Sequence, residues 1–112
     1  MRDEETLGSF EEQVMLAVLR TAGEAYGMSV RRELERVTER AVTVGAVYAT
    51  LDRLAEKRFV TTWLSDPLPM RGGRARKHWK LTASGERAVR HAATTLADML
   101  DGLGLTPQPR RS

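Results

Sequence analysis

The sequence predicts a mainly α-helical domain that carries one small β-hairpin. Three observations predict it. Apolar residues recur at helical spacing through the first 57 positions. The texture then changes at 59–65, which is rich in β-branched and aromatic residues and precedes a loop with two prolines and a Gly-Gly pair. From 83 onward the apolar positions again alternate by three and four.

The first helix is expected from about Phe10 to Thr21. Ser9 followed by Glu12 has the spacing of a capping box, and Gly23 ends the segment. Phe10, Val14, Met15, Ala17, Val18 and Leu19 make a broad apolar face, as in a helix buried on more than one side. Tyr26 and Gly27 open a second helix. Its stripe is Val30, Leu34 and Val37, with Arg31, Arg32, Glu33, Glu35 and Arg36 outside. Residues 38–42 form a short connector, and Thr43 is the expected N-cap of a third helix that runs to about Lys57.

That third helix has an unusual surface. Val44, Val47, Tyr48, Leu51, Leu54 and Ala55 form a core stripe. The other side of its first turns holds Gly45, Ala46, Ala49, Thr50 and Arg53, where a surface helix normally carries Glu, Lys and Gln. Gly in a helix interior costs about 1 kcal/mol against Ala, so something is expected to approach this backbone closely.

Phe59 to Ser65 reads as a strand, 66–73 as a loop and Arg74 to Leu81 as the returning strand. Alternation puts Arg74, Arg76, His78 and Lys80 on one face and Ala75, Lys77, Trp79 and Leu81 on the other. Trp63 and Trp79, on opposing strands, can share a face; core packing under the hairpin is expected, with stacking on a ligand as the alternative. A fourth helix, capped by Thr82, is expected from Ala83 to Gly102. Its apolar positions are Val89, Ala92, Ala93, Leu96, Met99, Leu100 and Leu103. The core already has Phe10, Val14, Val18, Leu34, Leu51 and Leu54, so this stripe is expected to form the seam of a homodimer.

The order α-α-α-β-wing-β, followed by a C-terminal dimerisation helix, is that of a winged helix-turn-helix, in which the third helix enters the DNA major groove. The expected organisation is a DNA-binding domain at 1–82, the dimerisation helix at 83–104 and a flexible tail at 105–112. The chain carries a formal charge of +3, but residues 41–80 hold 8 basic and 3 acidic side chains. Arg71, Arg74, Arg76, Lys77 and Lys80 lie together with no acid among them. That patch suits phosphates, and Thr50 and Arg53 suit base edges or phosphates. A winged-helix docking module, whose bare helix face packs on another protein, is the alternative these residues leave open.

Other classes find little support. There is no cysteine, which excludes disulfides, thiolate metal sites and cysteine nucleophiles. His91 with Asp98 and Asp101 matches no metal-ligand spacing, RGGR is not a phosphate loop, and no serine has a nucleophile-elbow context. No enzyme, metal or cofactor is expected. No apolar run approaches the roughly 18 residues of a membrane span, and the acidic start lacks a signal core, so the expected location is the cytoplasm.

LGSFEEQVMLAVL (7–19), YGMSVRRELE (26–35), VTVGAVYATLDRLAEKRFV (42–60) and RGGRARKHWKLTASG (71–85) together resemble the PadR family of bacterial transcriptional regulators, over about residues 7–100. The resemblance implies a homodimer of the short type, with one C-terminal helix, that binds pseudo-palindromic double-stranded operator DNA, usually as a repressor. It also implies a small aromatic effector and control of efflux, detoxification or stress genes and often of the regulator's own gene. Tyr26 and Gly27 would lie near the DNA backbone. Thr43, Gly45, Ala46, Tyr48, Ala49 and Thr50 would come from the recognition helix, and Arg74, Arg76 and Lys77 from the wing. Tyr48 also belongs to the core stripe, so either its hydroxyl reaches a phosphate or its ring is structural. Two positions depart from the family pattern. Trp79 stands where a Tyr is usual, and the C-terminal helix has no aromatic ring except His91, which leaves an interface site for flat drugs without its stacking rings.

Overall fold

The computed structural model describes residues 7–65 and 76–105. Its order is α1 (Ser9–Arg20), α2 (Gly27–Thr38), α3 (Val44–Glu56), β1 (Val60–Leu64), β2 (Lys77–Leu81) and α4 (Ala83–Leu100). Three helices pack around one core, and the antiparallel β1–β2 hairpin lies against it. Among the described residues no helix is long and apolar enough to cross a membrane.

Local chemistry explains most of the boundaries. The cap of α1 falls one residue before the expected one: Gly8 is the N-cap, and Glu11 rather than Glu12 reaches back to accept its N–H at 2.9 Å. The same carboxylate meets Lys57, at the C-cap of α3, 3.0 Å from each oxygen, and Arg53 at 3.9 Å. Burial disfavours the ionised Glu11 carboxyl, but the Gly8 N–H, Lys57 and Arg53 outweigh it and hold the pKa below the usual value. Thr43 caps α3 by accepting from the Ala46 N–H at 3.1 Å, and Thr82 caps α4 by accepting from the Gly85 N–H at 3.0 Å.

The core contains Val14, Met15, Val18, Val30, Leu34, Val47, Leu51, Leu54, Val60 and Trp79. Fully burying a side chain of this size contributes roughly 1.5–3 kcal/mol. Members of the expected α1 and α2 stripes also lie outside this core. Leu19 and Val37 are exposed and, with Leu16, line an open groove between α1 and α2. The α2–α3 connector is held from both sides: Glu35 accepts the Val42 N–H at 2.9 Å, and Arg31 Nε donates to the Val42 carbonyl at 2.7 Å. This clamp fixes the angle at which α3 leaves the core.

The hairpin register pairs Thr62 with Trp79 and Trp63 with His78. Directly opposed residues share a face, so Trp63 and Trp79 lie on opposite faces rather than sharing one. Among the described residues β2 begins at Lys77, after Arg76. Next to the last pair, the Ser65 N–H donates to the Arg76 carbonyl and the Arg76 N–H donates to the Ser65 hydroxyl, both at 3.0 Å. On the outer edge of β2 the Trp79 N–H donates to the Ala25 carbonyl at 2.7 Å, tying the wing to the turn before α2. At the base of the hairpin Arg58 adopts a left-handed φ of 64°. Its carbonyl accepts from the hydroxyls of Thr82 and Ser84, at 2.7 and 3.0 Å, which joins the start of α4 to the end of α3.

Candidate nucleic-acid interface

The exposed side of α3 is built from Gly45, Ala46 and Ala49, with Thr43 at its start. A β-carbon on Gly45 would meet nothing within 4 Å, so no neighbour in the fold requires glycine there. The helix buries Val47, Thr50, Leu51 and Leu54 instead. Thr50 is therefore a correction: only 1% of its surface is exposed, and it does not stand on the open face. The buried arc is turned slightly from the expected stripe, which also leaves Val44 exposed. The Thr50 hydroxyl accepts from Arg53 Nη2 at 3.1 Å. Arg53 remains exposed but leans inward, toward Thr50 and Glu11.

Tyr48 sits at the margin, 42% exposed. Its ring crosses to α2 and lies against Gly27 so closely that a β-carbon there would overlap the hydroxyl end of the ring. Gly27 is buried and Tyr26 half-buried. Ser29 secures this corner by accepting the Tyr26 N–H at 3.0 Å.

The wing strand departs from simple alternation, because His78 and Trp79 are both buried. Trp79 faces the helical core. His78, 6% exposed, stacks on Trp63 (centroids 4.2 Å apart, 15° between planes) and meets the edge of Tyr26 (5.9 Å, 78°). It stays on the face that alternation gives it, with Arg76 and Lys80, but Trp63 and Tyr26 cover it there. His78 Nδ1 and Trp79 Nε1 have no hydrogen-bond partner among the described residues. Arg76 and Lys77 are exposed at the start of β2, with Arg76 over the Tyr26 ring at 4.5 Å and Lys77 over the Trp79 ring at 4.9 Å. Arg71 and Arg74 lie outside the described residues.

On α4, Ala93, Leu96 and Met99 face solvent, with Leu96 at 61% and Met99 at 72% exposure, and so does Leu103 in the turn after it. Val89, Ala92 and Leu100 are half-buried. His91 is exposed, and among the described residues no group of three or more His, Cys, Asp or Glu side chains converges.

The sequence reading passed over Arg32, which reaches the Tyr26 hydroxyl at 3.2 Å. Helical periodicity marked it only as an outward arginine. The signal that distinguishes it is a contact between the start and the second turn of α2, visible only once the ring of Tyr26 is placed.

A helix-turn-helix whose second member exposes small residues beside a cation-bearing hairpin defines a winged-helix DNA-binding protein. The model of the transcriptional regulator PadR-like family matches residues 15–91, and the chain belongs to that family. It is a DNA-binding transcriptional regulator and not an enzyme. Among solved structures it is similar to RosR of H. salinarum, at 26% identity over 89% of this chain and 83% of that one, with a TM-score of 0.68. It also shares its fold with a PadR-like transcription factor of Bacteroides fragilis (22% identity, 84% and 85% of the two chains, TM-score 0.67). A third likeness is to a PadR family transcriptional regulator of Eggerthella lenta (22% identity, 81% and 77%, TM-score 0.63). No curated protein matches the sequence.

Proposed function

We propose that the chain acts as a homodimeric repressor on two-fold-symmetric operator DNA, with residues 1–82 as the DNA-binding unit and 83–104 as the dimerisation helix. The observation that carries this reading is the open small-residue face of α3 next to the exposed cations of the wing. Gly45, Ala46 and Ala49 let the helix backbone sit deep in the major groove, Thr43 lies at its entry, and Tyr48 stands at the rim. Arg76 and Lys77 face the phosphates or the minor groove, together with Arg71 and Arg74 from the segment outside the described residues. Arg53 serves as a phosphate contact only by turning away from Thr50.

The exposed stripe Ala93, Leu96, Met99 and Leu103 supplies the dimer seam, and a two-fold dimer suits half-sites about 34 Å apart. A small aromatic effector belongs to the same reading. The groove between α1 and α2, 320 Å³ and lined by Leu16, Leu19 and Val37 among others, has room for one. Such a regulator works in the cytoplasm, on efflux, detoxification or stress genes and on its own gene.

The test is fluorescence anisotropy with the DNA upstream of its own gene and a shuffled duplex, each at two salt concentrations. Tight binding to the native fragment alone, at two chains per site, supports the proposal. Equal, weak and salt-sensitive binding to both places the operator elsewhere. Absence of binding to either favours a docking module for another protein.

A further inference from the structure

Among the described residues, two of the three arginines of α2 have a carboxylate partner and Arg32 has none. Arg20 and Arg36 both pair with Glu33, and Arg31 lies 3.7 Å from Glu35. Arg32 has no carboxylate partner among the described residues. Its Nε donates to the Met28 carbonyl at 3.3 Å and its Nη2 to the Tyr26 hydroxyl at 3.2 Å.

The face of that same phenol ring carries Arg76 of the wing strand, 4.5 Å from the ring centroid and also without a carboxylate partner among the described residues. Two cations from different elements thus converge on one neutral ring. Like charges at this range repel, and the rest of the α2 surface balances its arginines with glutamates. Neither Arg32 nor Arg76 has a carboxylate among the described residues to offset its charge. The ring cannot easily turn away, because His78 meets its edge and is itself stacked on Trp63.

We infer that Arg32 and Arg76 together grip the DNA phosphate backbone, and that Tyr26 is a positioning residue which holds both guanidiniums without touching DNA itself. This rests on the DNA-binding reading above and refines it. Arg32 holds Tyr26 and Met28 through Nε and Nη2 and keeps further N–H donors for a phosphate. Arg76 lies over the Tyr26 ring and is exposed, so its N–H donors can reach a phosphate. The grip spans the first helix of the helix-turn-helix and the base of the wing, so it sets the register of the protein on the backbone and carries no base preference.

The experiment measures affinity against salt for the wild type, R32A, R76A, Y26F, the Y26F/R32A double variant and R36A, on the upstream DNA and on a shuffled duplex. Thermal melts confirm that each variant is folded. R32A and R76A should each weaken binding about tenfold on both duplexes and reduce the salt slope by about 0.9. Y26F keeps the ring under Arg76 but removes the acceptor of Arg32, so it should approach R32A, and the double variant should be no weaker than R32A alone. R36A, whose partner is Glu33, should leave the slope unchanged.

An unchanged slope in R32A beside a reduced one in R76A overturns the paired grip while the DNA-binding reading stands. A double variant clearly weaker than R32A overturns the positioning role and makes Tyr26 a contact in its own right. A wild type with no salt-dependent DNA binding overturns the underlying reading, and the inference falls with it.

Discussion

The hydroxyl end of Tyr48, on α3, lies where a β-carbon of Gly27, on α2, would be. Glycine opens α2 because an aromatic ring from the recognition helix takes the space of its side chain. The two helices of the helix-turn-helix are registered to each other at this point.

The first prediction follows from that contact. Gly27→Ala should push the exposed Tyr48 ring outward and weaken operator binding, with little loss of stability, since the displaced atoms end a flexible side chain. In a Tyr48→Ala background the same change should become stabilising by about 0.5–1 kcal/mol. Urea melts of the four proteins in this cycle check it. Equal effects of the alanine in both backgrounds would mean that Tyr48 does not hold the site.

Two changes on the open face of α3 should separate folding from binding. Gly45→Ala meets nothing within 4 Å, so it should raise stability by about 0.5 kcal/mol and still lower operator affinity by crowding the groove. Ala49→Glu should leave the melting temperature nearly unchanged and abolish binding. Retained operator affinity in a folded Ala49→Glu protein would show that this face is not the one that meets DNA.

Thr50 provides the opposite case. Its side chain is buried and meets Arg53. Thr50→Val should alter operator affinity by less than about threefold, the spread expected of a substitution within roughly 0.5 kcal/mol. Anisotropy titration decides the point: a loss comparable to that of Ala49→Glu would return Thr50 to the DNA surface.

Glu33 sets a pH dependence. Hydrogen bonds from Arg36 and then Arg20 lower its pKa from 4.5 to about 2. A carboxyl depressed in the folded state stabilises the protein above its unfolded pKa and loses that contribution as pH falls through the folded value. The contribution should therefore be complete at neutral pH and disappear between about pH 4.5 and 2. Because Arg20 and Arg36 are largely exposed, solvent screening limits it to about 1 kcal/mol. Glu33→Gln should be less stable than wild type by that amount at pH 7 and equal to it near pH 2, as read from denaturant melts at each pH.

The α4 stripe predicts the oligomeric state. Leu96 and Met99 face solvent in the single chain, and each would contribute roughly 1.5–3 kcal/mol if buried in a seam. Replacing both with Glu should weaken association at least about a hundredfold while leaving the helical content of each chain intact. Sedimentation at several concentrations measures it. An unchanged mass would place the dimer contact elsewhere.

Much of the fold was legible because its signals are local. The Thr43 and Thr82 caps fall where their side chains reach the next turn, and the buried positions Val14, Val18, Leu34, Leu51 and Leu54 follow helical spacing. The candidate site was legible where composition alone marked it: a glycine and two alanines on one helical face, and cations clustered on a hairpin. The errors arose where a residue sits at the edge of a pattern. Thr50 has polar chemistry and a core position, and Leu19 and Val37 have apolar chemistry and surface positions. A pattern of spacing cannot say how far a helix is rotated about its axis; the packing of its neighbours does.

By itself, the sequence determined the order of helices and strands, the caps of α3 and α4, the basic character of the hairpin and the spare apolar stripe on α4. Each depends on residues within a few positions of one another, so periodicity and side-chain chemistry suffice. Tertiary structure decided that Thr50 is buried, that Trp63 covers His78 on the basic face, that Tyr48 closes over Gly27, and that Arg76 joins Arg32 at Tyr26. Most of these join separate elements of the chain, and all depend on how helices and hairpin are oriented. Their energies come from contact at particular distances and angles, which exist only after the elements have packed.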